Sequence, residues 1–105
     1  MTDKMLKFIK SLFGPSINYR MLMENDAVII DVRTPQEFDN GHIKGSKNIP
    51  LNIIQTEVNK IKSWNKQVIT VCQSGGRSSM AKSILKNAGI EVYNGGGWMS
   101  LQSKL

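Results

Sequence analysis

Two predominantly apolar segments constrain the fold of this 105-residue chain more than any other feature of its sequence. They are residues 27–32 (AVIIDV) and 67–72 (QVITVC). Short continuous runs rich in β-branched residues are typical of strands buried on both faces, and such strands occur in parallel sheets. A helix-start signal follows each run within a few residues. The alternation therefore predicts an α/β fold, in which helices cover both faces of a parallel sheet.

The helix after the first strand has a well-marked start. Thr34 stands at the N-cap, Pro35 at the first helical position and Glu37 three residues after the cap, which together form a capping box. The sequence further predicts a strand at 47–49, a helix at 52–63, a strand at 91–94, a loop at 95–97 and a helix at 98–104. Another helix is predicted from the turn at 74–77 to about residue 88, with Met80, Ala81, Ile84, Leu85 and Ala88 buried. Gly89 is expected to end it in the left-handed C′ position, followed by Ile90.

Composition excludes several classes of protein. The chain is 40% apolar and 21% charged, which is compatible with one compact domain. No apolar run approaches the roughly 20 residues that a membrane span needs. A single cysteine excludes an internal disulfide framework and any multi-thiolate zinc site. Because there is also only one histidine, we expect no metal and no other cofactor.

Positive charge is concentrated in the second half of the chain. Residues 58–105 carry seven basic side chains and one acidic one, whereas residues 1–57 carry seven of each. A basic half is compatible with nucleic-acid binding. Only Lys60 and Lys62 lie close together, however, and no aromatic residues are interleaved with them as a stacking platform requires. A small anionic substrate explains the bias equally well, and we expect no nucleic-acid partner.

The N-terminal segment forms a separate unit in the sequence. Residues 4–13 (KMLKFIKSLF) place apolar side chains at helical spacing with lysines on the opposite face, and Gly14-Pro15 ends the pattern. We predict a basic amphipathic helix and linker at 1–15 and a single domain at 16–105. The lysines interrupt the apolar run that a signal peptide needs, so we expect a cytoplasmic protein.

Two roles remain open for that helix. It docks on the domain or on a second copy of the chain, or it contacts a membrane surface. Docking on protein is favoured, because three helical turns make a weak membrane anchor. The expected state is a monomer or a weak homodimer.

The only cysteine lies where a parallel α/β fold binds its ligands. Cys72 ends the second strand, and a glycine-bearing turn leads from it into a helix. Ligands of such sheets bind beyond the carboxyl ends of the strands, where helix N-termini present unpaired N–H groups. Gly75 and Gly76 allow the amides to curl around an anion, and Arg77 adds a fixed positive charge. Each feature favours a thiolate, which predicts a nucleophilic cysteine.

These residues carry a resemblance to a known family. The chain resembles the single-domain rhodaneses, a family of sulfurtransferases, over about residues 16–103. The matching segments are 31–38 (DVRTPQEF), 41–50 (GHIKGSKNIP) and 72–78 (CQSGGRS). The resemblance implies a rhodanese-like domain with a five-stranded parallel sheet. It also implies a thiosulfate sulfurtransferase that carries sulfur as a Cys72 persulfide, takes it from a small anionic donor and passes it to cyanide, a thiol or a protein.

The resemblance and the loop chemistry together suggest roles for the other polar residues. The substrate-binding residues are expected to be those of the loop that follows the cysteine, namely Gln73, Ser74, Gly75, Gly76, Arg77 and Ser78. Asp31 and Arg33 follow the first strand and are expected to pair and to shape the floor of the site. His42 lies in a turn and is expected to be structural. Trp98 is expected to anchor the core.

Three other functions stay open. Phosphatases and arsenate reductases of this fold use Cys-x5-Arg, whereas Cys72 and Arg77 here form Cys-x4-Arg, a smaller cradle that favours a sulfur atom. Non-catalytic binding modules typically lose the cysteine that this chain keeps. A redox sensor would need an external thiol, because the chain has no second cysteine.

Overall fold

The structure, a computed structural model, describes residues 16–105. The amphipathic helix predicted at 4–13 lies outside the described residues, and the division into 1–15 and 16–105 stays a prediction. In chain order the elements are α1 (Tyr19–Glu24), β1 (Val28–Asp31), α2 (Pro35–Asp39), β2 (Lys47–Asn48), a 3-10 helix (Leu51–Glu57), α3 (Val58–Ser63), β3 (Val68–Cys72), α4 (Gly76–Asn87), β4 (Val92–Gly97) and α5 (Trp98–Ser103).

The strands form one parallel sheet in the order β2-β1-β3-β4. The two apolar runs of the sequence supply the central strands, and their register places Val28 opposite Val68 and Asp31 opposite Val71. All five residues of β3 are buried. The parallel sheet predicted from these two runs is confirmed.

The number of strands differs from the five that the resemblance implied. Residues 16–105 contain four, which are those predicted from the sequence itself. The segment before β1 forms α1 instead, and the Asn18 side chain caps it by accepting a hydrogen bond from the N–H of Met21. The five-stranded sheet that the resemblance implied is therefore wrong for residues 16–105, which form a four-stranded one.

Helices cover both faces of the sheet, as predicted. On one face the 3-10 helix, α3 and α4 bury an apolar cluster that includes Ile54, Ile61 and Leu85. Cys72 belongs to this cluster. On the other face α1 and α5 pack against the sheet, and Leu101 of α5 is fully buried. No helix within residues 16–105 is long and apolar enough to cross a bilayer.

Two helix caps predicted from the sequence are confirmed. The side chain of Thr34 accepts the N–H of Glu37 at 3.3 Å, and the Glu37 carboxylate accepts the N–H of Thr34 at 3.1 Å. After α4, Gly89 has φ +86°, and the N–H of Ile90 reaches back to the carbonyl of Leu85 at 3.1 Å. Both motifs depend on residues at most six positions apart, which is why their pattern is visible in the sequence.

Two predicted helical segments differ in detail. The segment at 52–63 begins as a 3-10 helix after Pro50 and becomes α-helical only from Val58. In α4 the predicted burial of Met80 is wrong, since its side chain is 60% exposed. Ser78 is buried instead, with Ala81 and Leu85. A polar residue on the inner face of a helix must have hydrogen-bond partners there, and Ser78 has them in the site described below.

The glycine triplet predicted as a loop is part of β4. Thr70 of β3 pairs with Asn94 and Val71 pairs with Gly96, so Gly95 is an extra residue in β4 and forms a bulge. A β-carbon at Gly95 would lie 2.9 Å from side-chain atoms of β3, so the packing requires glycine there. The bulge brings the last residues of β4 beside the loop that follows Cys72.

Candidate active site

Cys72 is the last residue of β3 and is 1% exposed. The loop turns at Gly75, whose φ of +110° lies in the region that favours glycine, and α4 begins at Gly76. No side chain caps the start of this 12-residue helix. Its first N–H groups and the positive end of its dipole therefore lie beside the sulfur, as the sequence predicted.

The Cys72 sulfur accepts a hydrogen bond from the Gly75 N–H, and its S–H group donates to the Ser78 hydroxyl oxygen. The N–H of Gly75 lies 2.9 Å from Sγ, and the Ser78 hydroxyl oxygen lies 3.4 Å from it. Burial raises the pKa of Cys72, but the hydrogen bonds that a thiolate can accept from the hydroxyl and N–H of Ser78 and from the N–H groups of Gly75 and Ser74 lower it more. The net pKa lies below that of an ordinary thiol, which increases the thiolate fraction near neutral pH.

Ser78 connects the sulfur to Asn94 of β4. Its hydroxyl oxygen lies 2.6 Å from Oδ1 of Asn94 and 3.1 Å from the carbonyl oxygen of Gly75. Asn94 Nδ2 donates to the same Gly75 carbonyl at 3.3 Å, and the N–H of Gly96 donates to Asn94 Oδ1 at 2.9 Å. Asn94 is not singled out by the sequence, because the following glycines indicated a loop. Its position at the carboxyl end of a parallel strand is the signal that would have found it.

Arg77 is held in an ion pair with Glu37 of α2. The two guanidinium NH2 groups donate to the two carboxylate oxygens at 2.6 and 2.9 Å. Hydrogen bonding from Arg77, followed by that from the Thr34 N–H, lowers the pKa of Glu37 to about 2. Glu37 in turn raises the pKa of Arg77. The residue predicted to bind an anion is thus already paired with one, and Glu37 has a second contact beyond its predicted role as a cap.

Asp31 and Arg33 form a buried pair at the end of β1, as expected from the sequence. Their side chains are 0% and 3% exposed, and Arg33 donates to both carboxylate oxygens at 2.7 to 3.1 Å. The guanidinium also donates to the carbonyl of Gly41 at 2.7 Å and lies 4.9 Å from the ring centroid of Trp98. These partners engage the guanidinium, and the structural role expected for Arg33 stays a prediction.

The remaining predicted residues lie at the rim of the site or outside the loop. Gln73, Ser74 and Gly76 are exposed residues of the loop itself. His42 is exposed at the end of α2, where its Nδ1 lies 2.7 Å from the carbonyl of Phe38 and its ring stacks on that residue at 3.6 Å. Within residues 16–105 no three His, Cys, Asp or Glu side chains lie close enough together to hold a metal ion.

Comparison with known proteins identifies the family. A family model described as a rhodanese-like domain matches residues 15–104. The chain belongs to this family. The resemblance carried by the three sequence segments is therefore confirmed, and the Cys72 loop is the loop of a rhodanese-like domain.

Relatives of this rhodanese-like protein include proteins of known name from bacteria. It is 45% identical to the uncharacterised protein YqhL of Bacillus subtilis over 69 residues, and this match covers 65% of the chain and 54% of YqhL. It is 36% identical to the thiosulfate sulfurtransferase PspE of Escherichia coli over 70 residues, and this match covers 65% of the chain and 67% of PspE. The chain thus spans about half the length of YqhL and about a third of YrkF, a putative sulfur carrier protein of Bacillus subtilis.

Solved structures share the fold. A rhodanese-related protein from Thermoplasma volcanium has a TM-score of 0.68 at 34% identity, and the match covers 85% of this chain and 91% of that one. The rhodanese with anions from E. coli has a TM-score of 0.64 at 33% identity, and the match covers 70% of this chain and 89% of that one. The human single-domain sulfurtransferase TSTD1 has a TM-score of 0.71 at 21% identity, which shows the fold alone.

Proposed function

We propose that this protein is a sulfurtransferase that carries sulfane sulfur as a persulfide on Cys72. The supporting observation is a buried thiol at a strand end whose sulfur accepts the N–H of Gly75 in a short Cys-x4-Arg loop. The names of relatives agree with this chemistry, since PspE is a thiosulfate sulfurtransferase and an Allochromatium vinosum relative is a sulfurtransferase.

In the first step the Cys72 thiolate attacks the outer sulfur of thiosulfate or of a related persulfide. A bond forms between Sγ and that sulfur, and the bond from the sulfur to the leaving group breaks. The leaving group departs with the bonding electron pair, as sulfite when thiosulfate is the donor. Cys72 is left as a persulfide anion, and no external oxidant or reductant is needed.

The loop amides supply the positive potential that an anionic donor needs. The start of α4 places its unpaired N–H groups beside the sulfur, where they stabilise a thiolate, a persulfide anion and the oxygens of the donor. Arg77 has five N–H donors, of which Glu37 engages two. The others remain to contact a dianion, so Arg77 contributes in part and the amides supply the rest.

In the second step a nucleophile takes the outer sulfur. A thiol or a protein acceptor in the cell, or cyanide in an assay, attacks it, and the electron pair returns to Cys72 as a thiolate. We place this work in the cytoplasm, where thiol acceptors are kept reduced. We assign the transferase chemistry to residues 16–105.

Intact-mass measurement tests the proposal directly. After treatment with thiosulfate, the protein should gain the mass of one sulfur atom, which cyanide or dithiothreitol removes. Cys72→Ser should show no gain and no thiocyanate production, because the chain has no other thiol. Ser79→Ala, at an exposed position of α4, is the matched control and should behave as the wild type. A mass gain in Cys72→Ser, or none in the wild type with any sulfane donor, contradicts the mechanism.

A further inference from the structure

The Ser78 hydroxyl has more acceptors than it has hydrogen atoms. Its oxygen lies within hydrogen-bond distance of Asn94 Oδ1, the Gly75 carbonyl oxygen and the Cys72 sulfur, at 2.6, 3.1 and 3.4 Å. A hydroxyl has one hydrogen and donates one linear bond at a time. The direction of that bond decides whether the sulfur faces a donor or an acceptor.

The contacts of Asn94 settle which of its side-chain atoms faces Ser78. The Gly96 N–H lies 2.9 Å from the atom assigned as Oδ1, and the Gly75 carbonyl lies 3.3 Å from the atom assigned as Nδ2. Rotating the amide by half a turn would place two donors together at Gly96 and two acceptors together at Gly75. The amide oxygen therefore faces Ser78 and accepts its hydrogen across the shortest of the three distances.

This direction suits the thiol form of Cys72. With its hydrogen on Asn94, the Ser78 oxygen is free to accept from the S–H group. A thiolate needs the reverse arrangement, in which Ser78 donates to sulfur and Asn94 Oδ1 keeps only the Gly96 N–H. Ionisation of Cys72 therefore requires the Ser78 hydroxyl to leave Asn94, a half-buried acceptor that then has one donor fewer.

We propose that Asn94 is a positioning residue that competes with the Cys72 sulfur for the hydrogen of Ser78 and so restrains ionisation of the thiol. The inference rests on the proposed function only in taking Cys72 as the nucleophile. The hydrogen-bond network then has two opposing effects. The loop amides promote the thiolate, and Asn94 limits the fraction of unprotected thiolate when no donor is bound. A lone reactive cysteine is thereby less open to adventitious alkylation or oxidation.

The charged groups around Cys72 are paired with one another. Arg77 of α4 is held by Glu37, and Asp31 of the neighbouring β1 is held by Arg33. From the other side β4 contributes Asn94 and glycines. These ion pairs are unaffected by a neutral change at Asn94, which alters only the hydrogen bonds of Asn94 with Ser78, Gly75 and Gly96. The Ser78→Ala background separates the first of these bonds from the other two.

The test is the pH dependence of Cys72 alkylation by iodoacetamide in four variants of the full chain. Asn94→Ala should lower the thiol pKa by about half a unit or more, because Ser78 is then free to donate to the thiolate. Asn94→Asp should raise it, because a carboxylate holds the hydroxyl hydrogen more strongly. Ser78→Ala should also raise it, and Asn94→Ala should have no further effect in the Ser78→Ala background.

The double variant separates positioning from general disruption of the loop. If Asn94→Ala acts by loosening the loop or admitting water, its effect on the thiol pKa persists without Ser78, and the inference is overturned. A raised or unchanged thiol pKa in Asn94→Ala also overturns it. Should Asn94→Ala fail to fold, the rise in Asn94→Asp must shrink in the Ser78→Ala background. Alkylation needs no sulfur transfer, so these outcomes are independent of whether thiosulfate is a donor.

Discussion

Glu37 and Arg77 are 40 residues apart in the chain and meet in a bidentate ion pair beside the reactive loop. The Glu37 carboxylate is fixed by the capping box of α2, since it also accepts from the N–H and hydroxyl of Thr34. A local helix-start motif thus determines where the guanidinium lies. Because the pKa of Glu37 is about 2, the pair stays ionised at every pH at which the thiol titrates.

The two partners of this pair should affect turnover in opposite directions. Glu37→Gln keeps an oxygen for the capping box and removes the charge that neutralises Arg77, so kcat/KM for thiosulfate should rise about three- to tenfold. Arg77→Ala should lower it by about 2 kcal/mol, the scale of a charge-assisted hydrogen bond, and Arg77→Lys should restore it only in part. Steady-state kinetics with thiosulfate measure both.

Glu24→Gln is the matched control for charge, because it removes an exposed carboxylate from α1. It should leave kcat/KM near the wild-type value. If Glu37→Gln is instead as slow as Arg77→Ala, the pair acts as one rigid unit and its charge balance is not what limits donor binding.

At the scale of elements, the bulge in β4 determines how the site is built. Asn94, which lies against Ser78, is the last residue before the bulge, and Gly95 shifts the register of Gly96 and Gly97 against β3. Gly97 then passes so close to the loop that a β-carbon there would lie 2.9 Å from the carbonyl oxygen of Gln73. Gly95 and Gly97 therefore serve close packing of the strand against its neighbours.

Gly95→Ala should lower the free energy of unfolding by about 2 kcal/mol, since overpacking of a filled core typically costs 1–3 kcal/mol. Its β-carbon would meet branched side chains of β3 at 2.9 Å, which have little freedom to move. Urea denaturation measures the change. Gly76→Ala is the control, because a β-carbon there meets nothing within 4 Å and the position has no positive φ. Equal stability of the two variants contradicts this account of the bulge.

At the scale of the whole molecule, two features bear on function, namely the net charge and the N-terminal segment. The chain carries a formal net charge of +6, which attracts anionic donors and acceptors by long-range steering. The face of the sheet that carries α1 and α5 exposes Met21 and Met99 at 57% and 61%. We expect the apolar stripe predicted at 4–13 to dock on this face.

Deleting residues 1–13 should lower the melting temperature or convert a dimer into a monomer, with thiosulfate turnover preserved. The reason is that an apolar stripe of that size normally meets a protein surface. Thermal denaturation and light scattering measure these two quantities. If the deletion changes neither of them but abolishes binding to anionic vesicles, the stripe is a membrane contact and the docking prediction is wrong.

Much of the fold and part of the site were determined by the sequence, wherever the interactions span a few residues. The apolar runs made β1 and β3 central strands, and short motifs set the start of α2 and the end of α4. The rule that ligands bind at the carboxyl ends of parallel strands placed Cys72, Arg77 and the Asp31–Arg33 pair at one edge. Each of these depends on backbone periodicity or on contacts within about six residues.

The tertiary structure alone decided which of these groups contact one another. The Glu37–Arg77 pair, the Ser78–Asn94 hydrogen bond and the bulge at Gly95 join residues 16 to 40 positions apart or on neighbouring strands. The structure likewise decided that residues 16–105 form four strands and not the five that the resemblance implied. Side chains distant in sequence become partners only when packing fixes the register of the strands and the faces of the helices. No local sequence pattern predicts these contacts, because their geometry results from many long-range contacts acting together.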